Sequence, residues 1–298
     1  MNVLFIGNGL NRCLTNAVSW DAILKELVRK LDIPGVAQDE ATLEFERILN
    51  EALILDENRN ADIYKSVKMD IARQLQMYKL PENSLHHKYI SLPMDCFLTT
   101  NYDYTLEAAI DCSLNYRHIK SGSSEKKFSL YRKQKIKDQC IYHIHGESKA
   151  PASICLGFEH YVGILGKLKS VLFEHQKGLK DFTLLNVIRR EIEPTGCYAE
   201  FFFTHNIFIV GWALDKTEID VWWILVYRAF LMNTNYKGIN KWLDNKIYFY
   251  CFQDSGGCNN KMNSMLHSLN VEMVEIPVRH MDYVSAYDSI FEDISSRI

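Results

Sequence analysis

Short apolar runs alternate with stretches of helical period along most of this chain. Residues 2–6 are apolar and stop at Gly7-Asn8-Gly9, the pattern of a strand entering a tight turn. Trp20, Ile23, Leu24, Leu27, Val28 and Leu31 then recur on one helical face. Ser19 is placed to cap that helix, Asp21 favours its positive end, and Pro34-Gly35 breaks the pattern. Helical period continues to about residue 92, through Leu49, Leu53, Ile63, Val67, Ile71 and Leu75. Strand signals return at residues 96–99 and 140–144, separated by the polar stretch SGSSEKK at 121–127, which reads as a mobile loop. Residues from about 158 to 203 look mainly helical, and residues 207–210 form a compact buried strand ending in Gly211. The helix expected over 218–230 is apolar nearly all round, so it is buried on several sides or sits in a subunit interface. Two more strands, 247–252 and 271–276, are separated by the polar turn DSGGCNN, and an amphipathic helix carries Tyr283, Tyr287, Ile290 and Ile294.

Strands alternating with helices in this way predict an α/β fold, a Rossmann-like, mostly parallel sheet with helices on both faces. The chain reads as one domain over residues 1–298, with helical insertions at about 32–93 and about 158–204. With 47% hydrophobic and 24% charged residues, a sizeable core is available and wholesale disorder is excluded. A formal charge of −3 gives no footprint for a nucleic-acid binder. The first residues lack the basic region of a secretory signal, and no apolar run approaches the roughly 18 residues of a membrane span. The 8 cysteines contain no C-x-x-C pair, so a reduced, cytoplasmic chain without a structural zinc module is expected.

Four stretches can carry chemistry, each at the end of an expected strand. In Phe5-Ile6-Gly7-Asn8-Gly9-Leu10-Asn11, a Gly-x-Gly turn brings backbone N–H groups close to a phosphate, or is simply a tight turn. Leu98-Thr99-Thr100-Asn101-Tyr102-Asp103 offers Asn101 as donor and acceptor and Asp103 as acceptor; alone it equally describes a turn and helix cap. In His143-Ile144-His145-Gly146-Glu147 the two histidines share a strand face. They are metal ligands, a projecting general base at His145, or hydrogen-bonded core residues. Last, Gly211-Trp212-Ala213-Leu214-Asp215 leads into a helix whose Glu218 and Asp220 are read as capping residues, with a solvated face as the alternative.

Taken together, Gly-Asn-Gly, Thr-Asn-Tyr-Asp, His-Gly and strand-Gly-helix stand in the order of the sirtuin catalytic core. Through them, and through Ser19-Trp20-Asp21, Phe45-Glu46-Arg47, the stretch from Leu156 to Tyr161 and that from Glu218 to Trp223, the chain resembles the sirtuin-like NAD-consuming effectors of bacterial antiphage defence, such as those of the Thoeris and Kongming systems. The resemblance runs to about Leu225. It implies that Gly7, Asn8, Gly9, Asn11, Thr100 and Gly211 surround NAD as the substrate. Asn101 then positions a water, Asp103 orients nearby groups, and His145 is the base. Protein-deacylating sirtuins carry a zinc ribbon of two C-x-x-C pairs, which this sequence lacks. That favours plain hydrolysis of NAD to nicotinamide and ADP-ribose, with no metal and with cyclised ADP-ribose as an alternative product. Such an activity would need gating by a homo-oligomer, a nucleotide signal or a partner protein from the same defence system; no direct nucleic acid or membrane partner is expected. Trp222 and Trp223 are candidates for the assembly surface, with core packing as the simpler reading. A metal-dependent hydrolase using His143 and His145, and a non-catalytic nucleotide sensor or scaffold, are the competing functions.

Overall fold

The computed structural model describes residues 1–13, 20–34, 41–56, 62–77, 84–114, 119–125, 127–173, 184–253 and 260–298. Within them, strands β1 (Asn2–Ile6), β2 (Cys96–Thr99), β3 (Lys133–Ile136), β4 (Gln139–His143), β5 (Asn206–Val210), β6 (Ile247–Gln253) and β7 (Val271–Pro277) form one sheet, in the order β3-β4-β2-β1-β5-β6-β7. All neighbouring pairs are parallel except β3, which turns back antiparallel on β4. This is the Rossmann-like α/β arrangement that the alternation of elements predicts. β3 carries no strand signal because Lys-Gln-Lys-Ile is polar, and its lysines suit an edge that must not pair further.

The helices among the described residues are α1 (Trp20–Lys30), α2 (Ala41–Leu55), α3 (Ile63–Met77), α4 (Ser84–Ile90), α5 (Thr105–Ile110), α6 (Phe158–Phe173), α7 (Leu184–Ile188), α8 (Phe201–Thr204), α9 (Ile219–Asn233), α10 (Asn260–Ser268) and α11 (Tyr283–Arg297). The expected cap Ser19, residue Gly35, Lys126 and the turn at 254–259 lie outside the described residues. The strand pleat sorts side chains to two sides. Val3, Phe5, Ile207 and Ile209 pack with α6 to α10, while Leu4, Ile6, Phe208 and Val210 pack with α4, α5 and α11. Each such fully buried side chain contributes roughly 1.5–3 kcal/mol. Apolar residues therefore run continuously through β1 and β5 rather than alternating with polar ones.

The helices before β2 divide between two roles. α4 lies in the core against α5 and α11. By contrast, α1, α2 and α3 pack on one another and on Tyr102, Ile154 and Leu156, residues of the loops that follow β2 and β4. Thr42 of α2 donates to, or accepts from, Thr217 at 3.0 Å, and Gln76 of α3 donates to the Ser148 carbonyl at 2.7 Å. These helices thus roof the C-terminal edge of the sheet instead of covering a face of it. In α9, Trp222 donates to the Asp215 carbonyl at 2.8 Å and Trp223 stacks on Tyr227, both half-buried against the core.

Candidate active site

Four neighbouring strands, β4, β2, β1 and β5, run in the same direction, so the loops after them leave one edge of the sheet. The chain passes from β1 to β2 on one side and returns to β5 on the other. A doubly wound sheet opens its ligand crevice at such a reversal. All four sequence stretches with candidate chemistry lie in these loops.

The first loop is closed against the fourth. Gly7 and Gly9 donate their N–H groups to the carbonyls of Val210 and Gly211 at 2.9 and 2.8 Å. A Cβ at Gly7 would stand 2.5 Å from the Gly211 oxygen, and one at Gly9 would stand 2.7 Å from the Gly211 Cα. The glycines are required by this approach of two backbones. Their own N–H groups are taken by these carbonyls and are not open to a phosphate.

Asn11 is committed to the protein. Its Nδ2 donates to Asp103 Oδ2 at 2.9 Å and its Oδ1 accepts from His86 Nε2 at 2.8 Å. The second oxygen of Asp103 accepts from the Thr105 N–H and hydroxyl, which starts α5. Asp103 thus forms a turn with Thr105 just ahead of α5, whose cap position is Tyr104, and Asn11 joins it to α4. Burial pushes His86 down to about 4, so this ring is neutral.

Asn101 has its main chain fixed and its side chain largely unengaged. Its N–H donates to Thr99 Oγ1 at 3.0 Å, and its carbonyl accepts from His143 Nδ1 at 2.8 Å. The side-chain amide is buried and makes one long contact, 3.4 Å from Nδ2 to the Gly7 carbonyl. Thr100, beside it, is half-buried.

The two histidines do not share a face. His143 Nε2 donates to Glu107 Oε1 of α5 at 2.8 Å, while His145 Nε2 donates to Asp220 Oδ2 of α9 at 3.0 Å, across the sheet. Alternation fails because β4 ends at His143 and the chain then turns through Gly146, whose φ is +98°. A Cβ there would meet the Ser153 oxygen at 2.2 Å. With both nitrogens of His143 donating and the rings on opposite sides, the pair is not arranged to share a metal. No group of three or more metal-ligating side chains occurs among the described residues.

Both rings are held as cations. Burial, the largest influence on each, lowers the affinity for a proton. Glu107 outweighs it for His143 and Asp220 with Glu218 outweighs it for His145, and each rises to about 9. In this arrangement His145 Nε2 is engaged as a donor to Asp220. Glu218 stands at the N-cap position of α9 and Asp220 in its first turn, as expected, but their side chains are used differently. Neither caps α9 through its side chain. Asp220 accepts from His145 and from the Tyr198 hydroxyl at 3.3 Å, and Glu218 Oε1 lies 3.6 Å from His145 Nδ1. The spacing Glu-x-Asp at a helix start was visible in the sequence; its partner was not.

Glu147 is the buried hub of the neighbouring loop. It accepts from Arg132 at 2.6 Å, Gly122 N at 2.7 Å, Gln134 at 2.8 Å, and Ser121 and Tyr104 at 2.9 Å. The stretch beginning at Ser121, expected to be a mobile loop, is tied down by this carboxylate. A cavity of about 450 Å³ lies elsewhere, between α1, α2 and α3, lined by Leu31, Ala52, Leu55, Ile63 and Val67; it contains none of the strand-end residues.

Residues 95–226 match the family described as the SIR2-like domain. The matched segment runs from the residue before β2 into α9. It includes Asn101, Asp103, His145, Gly211, Glu218 and Asp220, while β1 and its Gly7-Asn8-Gly9 turn precede it. A SIR2-like domain points to an NAD-dependent enzyme. No curated protein matches the chain. No helix among the described residues is long and apolar enough to cross a membrane.

Proposed function

We propose that the chain cleaves the bond between nicotinamide and ribose in NAD and transfers the ADP-ribosyl group to water. The observation that carries this reading is the placement of Asn101. Its main chain is locked by Thr99 and the His143 cation, and its amide lies between the β1 and β2 loops with one long contact. Such an amide can orient a water and stabilise the positive ribose that forms as neutral nicotinamide departs. Gly7, Asn8, Gly9, Thr100 and Gly211 form the surroundings for the dinucleotide. Asp103 and Asn11 brace the β2 loop against β1 and α4. His145 after β4, with Asp220 and Glu218 after β5, supplies a cluster of net negative charge suited to a developing cation.

The order of the strand-end motifs supports placing the chain with the gated effectors of antiphage defence, held inactive until an oligomer, a nucleotide or a partner protein from the same system releases them. The deciding experiment measures nicotinamide release from NAD by the full chain, alone and with the proteins encoded beside it. The wild type is expected to release nicotinamide. Asn101→Ala should lower the rate by about 100-fold or more while remaining folded. A wild type that is inert in every combination, or an Asn101→Ala variant of undiminished rate, refutes the reading. Loss of cellular NAD on expression, abolished by Asn101→Ala, is the corresponding result in vivo.

A further inference from the structure

His145, Asp220 and Glu218 form one contact cluster, but they differ in what can reach them. The side chains of His145 and Asp220 are 1% and 0% exposed, whereas Glu218 is 14% exposed. Asp220 is closed in by His145 and Tyr198. Glu218 Oε2 accepts from the Trp212 indole, and its Oε1 stands by the second nitrogen of His145. Trp212 itself stacks on Phe5 of β1, so Glu218 is tied to the junction of β1 and β5 at the C-terminal edge of the sheet. From the other elements, Glu218 is faced by Asp215 of its own loop, by Tyr102 after β2, by Tyr161 of α6 and by Cys155, behind which lies Lys68 of α3.

We propose that Glu218 is the proton acceptor of this site, and that His145 is a fixed cation behind it, tethered by Asp220. The proposal rests on the NAD-cleaving reading above. In the step it describes, the C–N bond between ribose and nicotinamide breaks, and its electron pair stays on the ring nitrogen, which becomes neutral. The water oxygen bonds to the ribose carbon, and one water proton passes to the Glu218 carboxylate and then to solvent. His145 serves by holding Glu218 ionised at the crevice and by keeping the cluster at one net negative charge rather than two. Burial is the largest influence on Glu218 and raises it, His145 and Trp212 oppose that, and the result is about 7, a value matched to proton transfer near neutral pH.

The test follows nicotinamide release by the full chain across about pH 5 to 9. The wild-type rate should fall as pH drops below about 7. Glu218→Gln should lose about 100-fold in rate and its acid limb should flatten, with Glu218→Asp restoring part of both. Unchanged thermal melting of Glu218→Gln separates this from a folding defect. Should that variant not fold, the ring nitrogens of His145 in the wild type, followed by NMR, remain decisive: a neutral ring at neutral pH overturns the proposal. So does a Glu218→Gln variant with wild-type rate and acid limb, and that result leaves NAD cleavage by the wild type standing. A wild type that releases no nicotinamide overturns both readings.

Discussion

Gly9 donates its N–H to the carbonyl of Gly211 at 2.8 Å, and the two residues lock the turn after β1 to the turn after β5. This contact exists because neither residue has a side chain: on Gly9 a Cβ would also meet the Tyr287 hydroxyl at 2.6 Å.

Gly7→Ala and Gly9→Ala should therefore both destabilise the protein, by about 1–3 kcal/mol through forced backbone displacement. At Gly7 the obstacles are backbone atoms of Gly211 and Trp212, so no side-chain rotation relieves them. Denaturant unfolding checks this. Gly7→Ala should be the more harmful, since part of the clash at Gly9 is with a side chain, and equal stability of Gly7→Ala and the wild type would contradict the packing.

Glu107 and His143 form a fully buried ion pair that also fixes the Asn101 carbonyl. Glu107→Gln should cost on the order of 3 kcal/mol near neutral pH. The sign of its pH dependence follows from linkage. His143 is raised from 6.5 to about 9 on folding, so its contribution is complete below about 6.5 and is lost as pH rises through 9. The gap between wild type and Glu107→Gln should narrow over that range. A gap that widens would place the proton elsewhere.

Lys68 behaves in the opposite sense. It is buried, its Nζ donates to the Ile154 carbonyl at 2.5 Å and to His160, and burial lowers it from 10.5 to about 7. Folding is therefore penalised most below about 7, and the penalty fades as pH rises toward 10.5. Relative to the wild type, Lys68→Met should be most stable at about pH 6 and lose that advantage by about pH 10. Urea melts at both values suffice; a difference independent of pH would show that the amine stays charged throughout.

Much of the fold was legible because its signals are local. β1, β2 and β5 announce themselves as apolar runs ended by Gly or Asn, and α1 and α11 as regular apolar stripes. β3 was missed because a short polar edge strand has no such signal. Glu218 and Asp220 do stand at a helix start, but their side-chain partners were not legible, since a helix start explains two carboxylates without reference to anything distant.

The sequence by itself determined the alternation of strand and helix, the turn at each strand end, and the order in which the candidate residues occur. Those properties depend on hydrophobic period and turn chemistry within a few neighbouring residues. Only the tertiary structure decided which carboxylate meets which histidine, that Asn11 and Asp103 bind each other, and that α1, α2 and α3 lie over the strand ends. Each of these is a contact between segments far apart in sequence, fixed by how α5 and α9 dock on opposite faces of the sheet. A buried ring takes its charge from the partner that docking supplies, so residue type and spacing alone cannot assign it.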